Sequence, residues 1–123
     1  MDAIVPPRLA TTAPPLGQVL TFAGWGATTS AGPPSGKLYR GQAKVNAVRA
    51  TTVLVTGYRP SATTSACPYD SGAPYVATSP GGLATLVSVE STGPSCPHRL
   101  PETTARVDVV AGWVRVVVTD LPR

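Results

Sequence analysis

Residues 66–76 read "ACPYDSGAPYV", with Ser71 set between Asp70 and Gly72. As a bare triplet, Asp-Ser-Gly is a turn sequence, because Asp and Ser side chains bond to the local backbone and Gly supplies positive φ. Read instead as a nucleophile of the α/β-hydrolase type, Ser71 needs glycine two residues to either side. Those positions hold Tyr69 and Ala73, so that class is excluded. The triplet alone leaves turn and nucleophile both open, and the decision falls to its surroundings.

Outward from this stretch the pattern is mostly β. "QVLTFAGW" (18–25), "TTVLVT" (51–56), "PYVAT" (74–78) and "LATLVSV" (83–89) are short, rich in Val, Thr and aromatics, and bounded by Gly, Pro and Ser. This is the signature of antiparallel strands. "KLYRGQAKVNAVR" (37–49) alternates and predicts a strand interrupted by a bulge at Gly41. The Pro-rich segments 6–15 and 31–35 predict linkers or turns. In the tail, "VVAGWVRVVVTDL" (109–121), β-branched residues are so dense that propensity alone predicts a strand. Its length and charge spacing leave a helix open.

The 123 residues fit one domain with a real core. With 42% hydrophobic and 13% charged residues the chain is of the folded class, and its 12 glycines and 14 prolines favour short strands and turns over helices. Net charge is +4, yet the basic residues are scattered from Arg8 to Arg123 and never form a run. The clustered basic patch of a nucleic-acid binder is therefore absent from the sequence pattern. No stretch approaches the roughly 20 apolar residues of a membrane span. Neither nucleic acid nor membrane is an expected partner. The N-terminal "MDAIVPPRLA" has no basic region followed by an apolar one, so no signal peptide is expected within it.

Cys67 and Cys96 allow one intramolecular pairing. That bond would close a loop of roughly 30 residues, contribute roughly 3.5 kcal/mol in the chain-entropy picture, and imply an oxidising compartment. Two buried free thiols are the other reading. Two cysteines and the single His98 fall short of a four-ligand zinc set and lack its spacing. No metal or cofactor is expected.

Four segments taken in order sharpen the reading: "AGWG" (23–26), "ACPYDSGAPYV" (66–76), "LVSVESTGPSC" (86–96) and "RVDVVAGWV" (106–114). In order and rough spacing they resemble the second half of a trypsin-like, chymotrypsin-fold serine protease. In that family a Gly-Trp-Gly turn follows the first strand of the C-terminal barrel, and the nucleophile lies in Cys-x-Gly-Asp-Ser-Gly-Gly-Pro. A Ser-Trp-Gly segment lines the substrate cleft, and a Trp opens the C-terminal helix. The Pro-Tyr variation after Cys67 and the short span before it look most like secreted bacterial members. The resemblance implies an all-β fold, an antiparallel six-stranded β-barrel with a short C-terminal helix. It would cover residues 1–123, with 1–16 as an inter-barrel connector.

Carried over by position, the resemblance makes Ser71 the nucleophile. Asp70 matches the aspartate that pairs with a new N-terminal amine after zymogen cleavage, and Cys67 and Cys96 match a disulfide tying the nucleophile loop to the far wall of the specificity pocket. Trp25 matches the turn beside the oxyanion region and Trp113 the start of the terminal helix, which overrides the strand propensity of the tail. The oxyanion donors would be the N–H groups of Ser71 and Tyr69. A glycine stands at the latter position in the family, and a tyrosine held at positive φ there costs on the order of 1–2 kcal/mol. If that peptide flips, a lost donor costs roughly a hundredfold in rate.

The pocket also departs from the family. Ser65 stands where trypsin-like members carry the aspartate that selects Arg or Lys, Ser-Trp-Gly has become Ser88, Val89 and Glu90, and Glu102 replaces a glycine after Pro101. The chain has no other glutamates than Glu90 and Glu102. Either they make an acidic pocket for a basic side chain, or they fill a pocket that is no longer used.

Serine needs a histidine to take its proton, and that histidine needs a carboxylate to hold its tautomer. In the family both lie in the N-terminal barrel. Here His98 follows Ser71, at a position that predicts a solvated loop histidine, and upstream of Ser71 the only aspartates are Asp2 and Asp70. The expected function is a fragment of a serine endopeptidase, acting through an acyl-enzyme on Ser71 and not competent alone. Its partner would be a peptide or protein substrate once an N-terminal barrel completes it, and the full-length parent would be secreted. The alternative is a non-catalytic pseudoprotease or binding module; a small β-domain unrelated to proteases is a third reading.

Overall fold

Between residues 40 and 46 burial alternates from one residue to the next. Gly41, Ala43 and Val45 are buried, while Arg40, Lys44 and Asn46 face out. That alternation is the period of a half-buried strand. It forms β3 (Tyr39–Val48) of the computed structural model, which describes residues 5–121. The other strands are β1 (Arg8–Leu9), β2 (Val19–Gly24), β4 (Thr52–Arg59), β5 (Pro74–Thr78), β6 (Ala84–Thr92) and β7 (Glu102–Arg106), followed by helix α1 (Ala111–Asp120).

Hydrogen bonding orders the sheet β1-β6-β5-β2-β3-β4-β7, and β6 also pairs with β7. The second pairing closes six antiparallel strands into a barrel, with β1 lying outside, parallel to β6. Closure removes the free edges that an open sheet would expose. Leu20, Phe22, Ala43, Val45, Val53, Val55, Tyr75 and Val87 fill the interior, and the Phe22 and Tyr75 rings stack at 4.7 Å between centroids.

The bulge expected at Gly41 is not there. β3 runs through Gly41, and the register shifts fall between Gln42 and Ala43 and between Val45 and Ala47. At the first shift the extra residue is Tyr58 on the partner strand; at the second it is Asn46. Gly41 is required for a different reason: a Cβ there would strike the Thr64 methyl and crowd the Phe22 ring. The expected linker 6–15 contains the short β1, and β7 escapes the sequence pattern because its inward residues are Glu102 and Thr104. Thr104 is accommodated by donating its hydroxyl to the Val53 carbonyl at 2.7 Å. The connector expected over 1–16 begins outside the described residues.

The tail is helical, as the resemblance implies and against its β propensity. Ala111 is buried, the Val110 N–H bonds to the Val107 carbonyl, and no side chain caps the N-terminus. Trp113, Val116 and Val118 are exposed, Trp113 by 68%. No helix among the described residues is long and apolar enough to cross a membrane.

Candidate active site

The turn carrying Ser71 is fixed from three sides. Within it, the Asp70 N–H bonds to the Cys67 carbonyl and the Ala73 N–H to the Asp70 carbonyl. Toward β6, the Gly72 N–H donates to the Glu90 carbonyl and the Glu90 N–H to the Ala73 carbonyl, both at 2.9 Å. From the third side, Cys67 is disulfide-bonded to Cys96, whose Cα lies 5.3 Å away. The two cysteines are therefore paired, not free thiols.

Asp70 points toward the end of β2 and the loop that follows it. Its Oδ1 accepts the Gly26 N–H and its Oδ2 the Cys67 N–H, each at 2.9 Å. A Cβ at Gly24 or Gly26 would collide with this carboxylate, which explains both glycines of "AGWG". The carboxylate also borders a cavity of about 280 Å³ lined by Gly24, Gly26, Arg40 and Ser65. Among the described residues Asp70 has no cationic partner.

Tyr69 has φ of +74°, the left-handed conformation that its position in the turn demands, and its side chain is 67% exposed. The N–H groups of Tyr69 and Ser71 take no part in the network that holds the turn, among the described residues. Ser71 is exposed at a cleft of about 380 Å³ lined also by Cys67, Glu90, Gly93, Ser95 and Glu102. Trp25 lies in the exposed turn after β2.

The two glutamates meet at this cleft from the strands that close the barrel, Glu90 on β6 and Glu102 at the start of β7. Both are buried. The Tyr75 hydroxyl donates to Glu90 Oε1 at 2.9 Å, and His98 Nε2 lies 2.6 Å from Glu102 Oε2. Burial, and then the neighbouring Glu102 carboxyl, push the Glu90 carboxyl up to about 9, so it keeps its proton at neutral pH. Burial and Glu90 in turn push the Tyr75 phenol upward. A Cβ at Gly93 would overlap the Glu102 carboxyl, so this glycine makes room for it.

His98 is not the solvated loop histidine of the sequence reading. Its side chain is 8% exposed and its imidazole is held by Glu102, four residues on. Glu102 stands between it and Ser71: His98 borders a narrow cavity with Ser65, Tyr75 and Glu102, whereas Ser71 borders the cleft. The Ser65 hydroxyl is buried without a partner among the described residues, as is that of Ser88. Val89 is half-buried on β6, opposite Pro74 and Ala105. The sequence reading missed Tyr75 and Gly93, although the alternation of "PYVAT" does place Tyr75 inward.

Of known families, the profile described as "Trypsin" matches residues 1–114. A search of curated protein sequences gives no match. Among solved structures, human heparin binding protein superposes with a TM-score of 0.80 at 24% identity, over 98% of this chain and 52% of that one. Neuropsin, a serine protease expressed in the limbic system of mouse brain, superposes with a TM-score of 0.77 at 21% identity, over 94% of this chain and 54% of that one. The chain thus spans about half the length of these proteins, and both carry the same barrel.

Proposed function

From the premise that the chain belongs to the trypsin family, we propose that it is the C-terminal barrel of a secreted serine endopeptidase whose histidine and aspartate come from a second barrel. The observation that carries this reading is the turn at Ser71: an exposed hydroxyl beside a cleft, with a left-handed Tyr69 two residues earlier. In the completed enzyme the histidine would take the Ser71 proton as Oγ attacks the peptide carbonyl. The Tyr69 and Ser71 N–H groups would hold the oxyanion, and the histidine would return the proton to the leaving amine. Water would then hydrolyse the acyl-enzyme by the same route. Residues 1–16 would serve as the connector between barrels, and the cavity at Asp70 would receive an N-terminal amine. The disulfide is consistent with an oxidising compartment.

Glu90 and Glu102 at the cleft favour a substrate side chain that donates hydrogen bonds, Arg or Lys first. The test uses the barrel joined to its histidine-bearing half. A fluorophosphonate probe should label it at Ser71 and fail to label Ser71→Ala, and peptides with Arg or Lys before the cut should be preferred. No labelling of the folded, disulfide-bonded protein would overturn the endopeptidase reading, and labelling without that preference would overturn the assignment of the pocket alone. One observation favours the second reading, a non-catalytic binding module: Glu90 and Glu102 are buried and already held, by Tyr75 and His98, so they fill the pocket. Under it, labelling is absent even in the joined protein.

A further inference from the structure

Glu102 is shared by two spaces that otherwise have no residue in common. On one side is the cleft at Ser71, and on the other the narrow cavity lined by Ser65, Tyr75, His98 and Leu100. From that inner side the buried imidazole of His98 places Nε2 2.6 Å from Glu102 Oε2. Toward the cleft the Glu102 carboxyl lies against Gly93. His98 Nδ1 is buried with no partner among the described residues, and so is Ser65 Oγ on the same cavity. Two ionisable groups reach this cavity beside His98: Glu102 from β7 and Tyr75 from β5. The residues that β2, β3 and β4 add are Phe22, Ala43, Val55 and Gly57, none of which titrates. Arg99, next in the chain, is exposed. Beyond Glu102 stand Glu90 on β6, which keeps its proton at neutral pH, and Asp70 in the turn of Ser71.

With Glu90 protonated, Glu102 is the carboxyl that can carry charge among the residues lining the cleft. We propose, on the reading of the cleft as the pocket for the side chain before the cut, that His98 is a positioning residue for substrate selection. Neutral, it leaves Glu102 as a net negative charge bordering the cleft; protonated, it cancels that charge from behind. The neutral ring donates its Nε2–H to the carboxylate and leaves Nδ1 bare. A second proton goes to Nδ1, where no acceptor stands among the described residues, so the charge of Glu102 is what retains it. A guanidinium or ammonium group entering the cleft draws on the same charge. The proton and the substrate cation therefore compete for one carboxylate from opposite sides. Arg and Lys side chains are selected when His98 is neutral. When it is protonated the pocket carries no net charge and suits a neutral side chain that donates hydrogen bonds. A histidine that only filled space would leave this choice independent of pH.

Butylguanidinium, a stand-in for the Arg side chain, and butylurea, its uncharged counterpart, test this by NMR titration of the untagged, disulfide-bonded chain. The titrations run at constant salt from roughly pH 5 to pH 8, the interval in which histidine changes charge. That interval stops short of about 9, where Glu90 would add a charge of its own. Butylguanidinium should bind on the order of tenfold more tightly at the alkaline end than at the acid end, and butylurea within about twofold throughout. His98→Gln keeps a donor for Glu102 but does not titrate, so its affinity for butylguanidinium should stay within about twofold across the interval. His98 is the chain's single histidine, so its imidazole signals report the same coupling in the parent without any substitution. Saturating butylguanidinium should move their transition toward acid by about one pH unit, the reciprocal of a tenfold preference. No binding of butylguanidinium, pH-independent binding in the parent, an imidazole transition that the probe leaves unmoved, or the parent's pH dependence retained in folded His98→Gln would each overturn the proposal. None of these readouts uses Ser71, so failure of the endopeptidase reading shows separately, as absent fluorophosphonate labelling of the joined protein.

Discussion

Tyr69 is where the fold and the side chain disagree. A residue with a Cβ crowds its own backbone at φ of +74°, and the turn holds it there because the Asp70 and Ala73 bonds on either side are both made. The conformation is therefore imposed by the turn, at a cost of about 1–2 kcal/mol. Replacing Tyr69 with Gly removes the crowding and adds backbone freedom to the unfolded chain, which offsets part of the gain. Its exposed ring contributes little packing to set against that. Tyr69→Gly should raise stability by about 0.5–1 kcal/mol in urea unfolding, and a destabilised variant would mean that the ring packs in a way its exposure denies. Sequence reasoning reached the left-handed requirement through the family pattern around Ser71. It could not reach Glu90, Glu102, Tyr75 and His98 as one group, since their meeting depends on which strands close the barrel.

Among elements, the segment 67–73 illustrates how local chemistry and long-range constraint combine. Asp-Ser-Gly makes the turn by itself, but the disulfide to Cys96 ties it to the loop after β6 across 29 positions of sequence. Ser30 supports the far end, its hydroxyl accepting the Cys96 N–H at 2.7 Å. Because closing that loop restricts the unfolded chain, the double variant C67S/C96S should lose roughly 3.5 kcal/mol, read as a lower urea midpoint with the parent compared in its oxidised form. A loss under about 1 kcal/mol would mean that the loop is already ordered without the bond. The strands were legible because their inward positions are apolar and alternate, as in β3. β7 was not, since its inward positions are a paired glutamate and a threonine bonded to backbone. α1 was legible only from its Trp in a family setting, because a run of valines favours strand and no cap marks the helix start.

For the whole molecule, the decisive contact is the seam where β6 meets β7, since without it the six strands are an open sheet. Glu90 stands on that seam opposite Thr104, with Glu102 on the neighbouring strand, Tyr75 beneath and His98 beyond. Asp70 adds a further negative charge that opposes ionisation of Glu90. The folded barrel therefore keeps a proton on Glu90 up to about pH 9, whereas in the unfolded chain that proton leaves near the ordinary 4.5. Between those values the folded state binds more protons, so stability is complete below the lower one and falls as pH rises through the interval. Glu90→Gln fixes this position in a neutral form that still offers Tyr75 an acceptor. Its urea midpoint, measured from pH 5 to pH 9, should fall with a shallower slope than that of the parent. Groups remote from Glu90 and common to both proteins cancel in that comparison. Parallel slopes would mean that Glu90 is ionised in the folded barrel and that the seam closes over a charge. A shallower slope in the variant would locate the alkaline weakness of the fold at the strand pair that also forms the wall of the cleft beside Ser71.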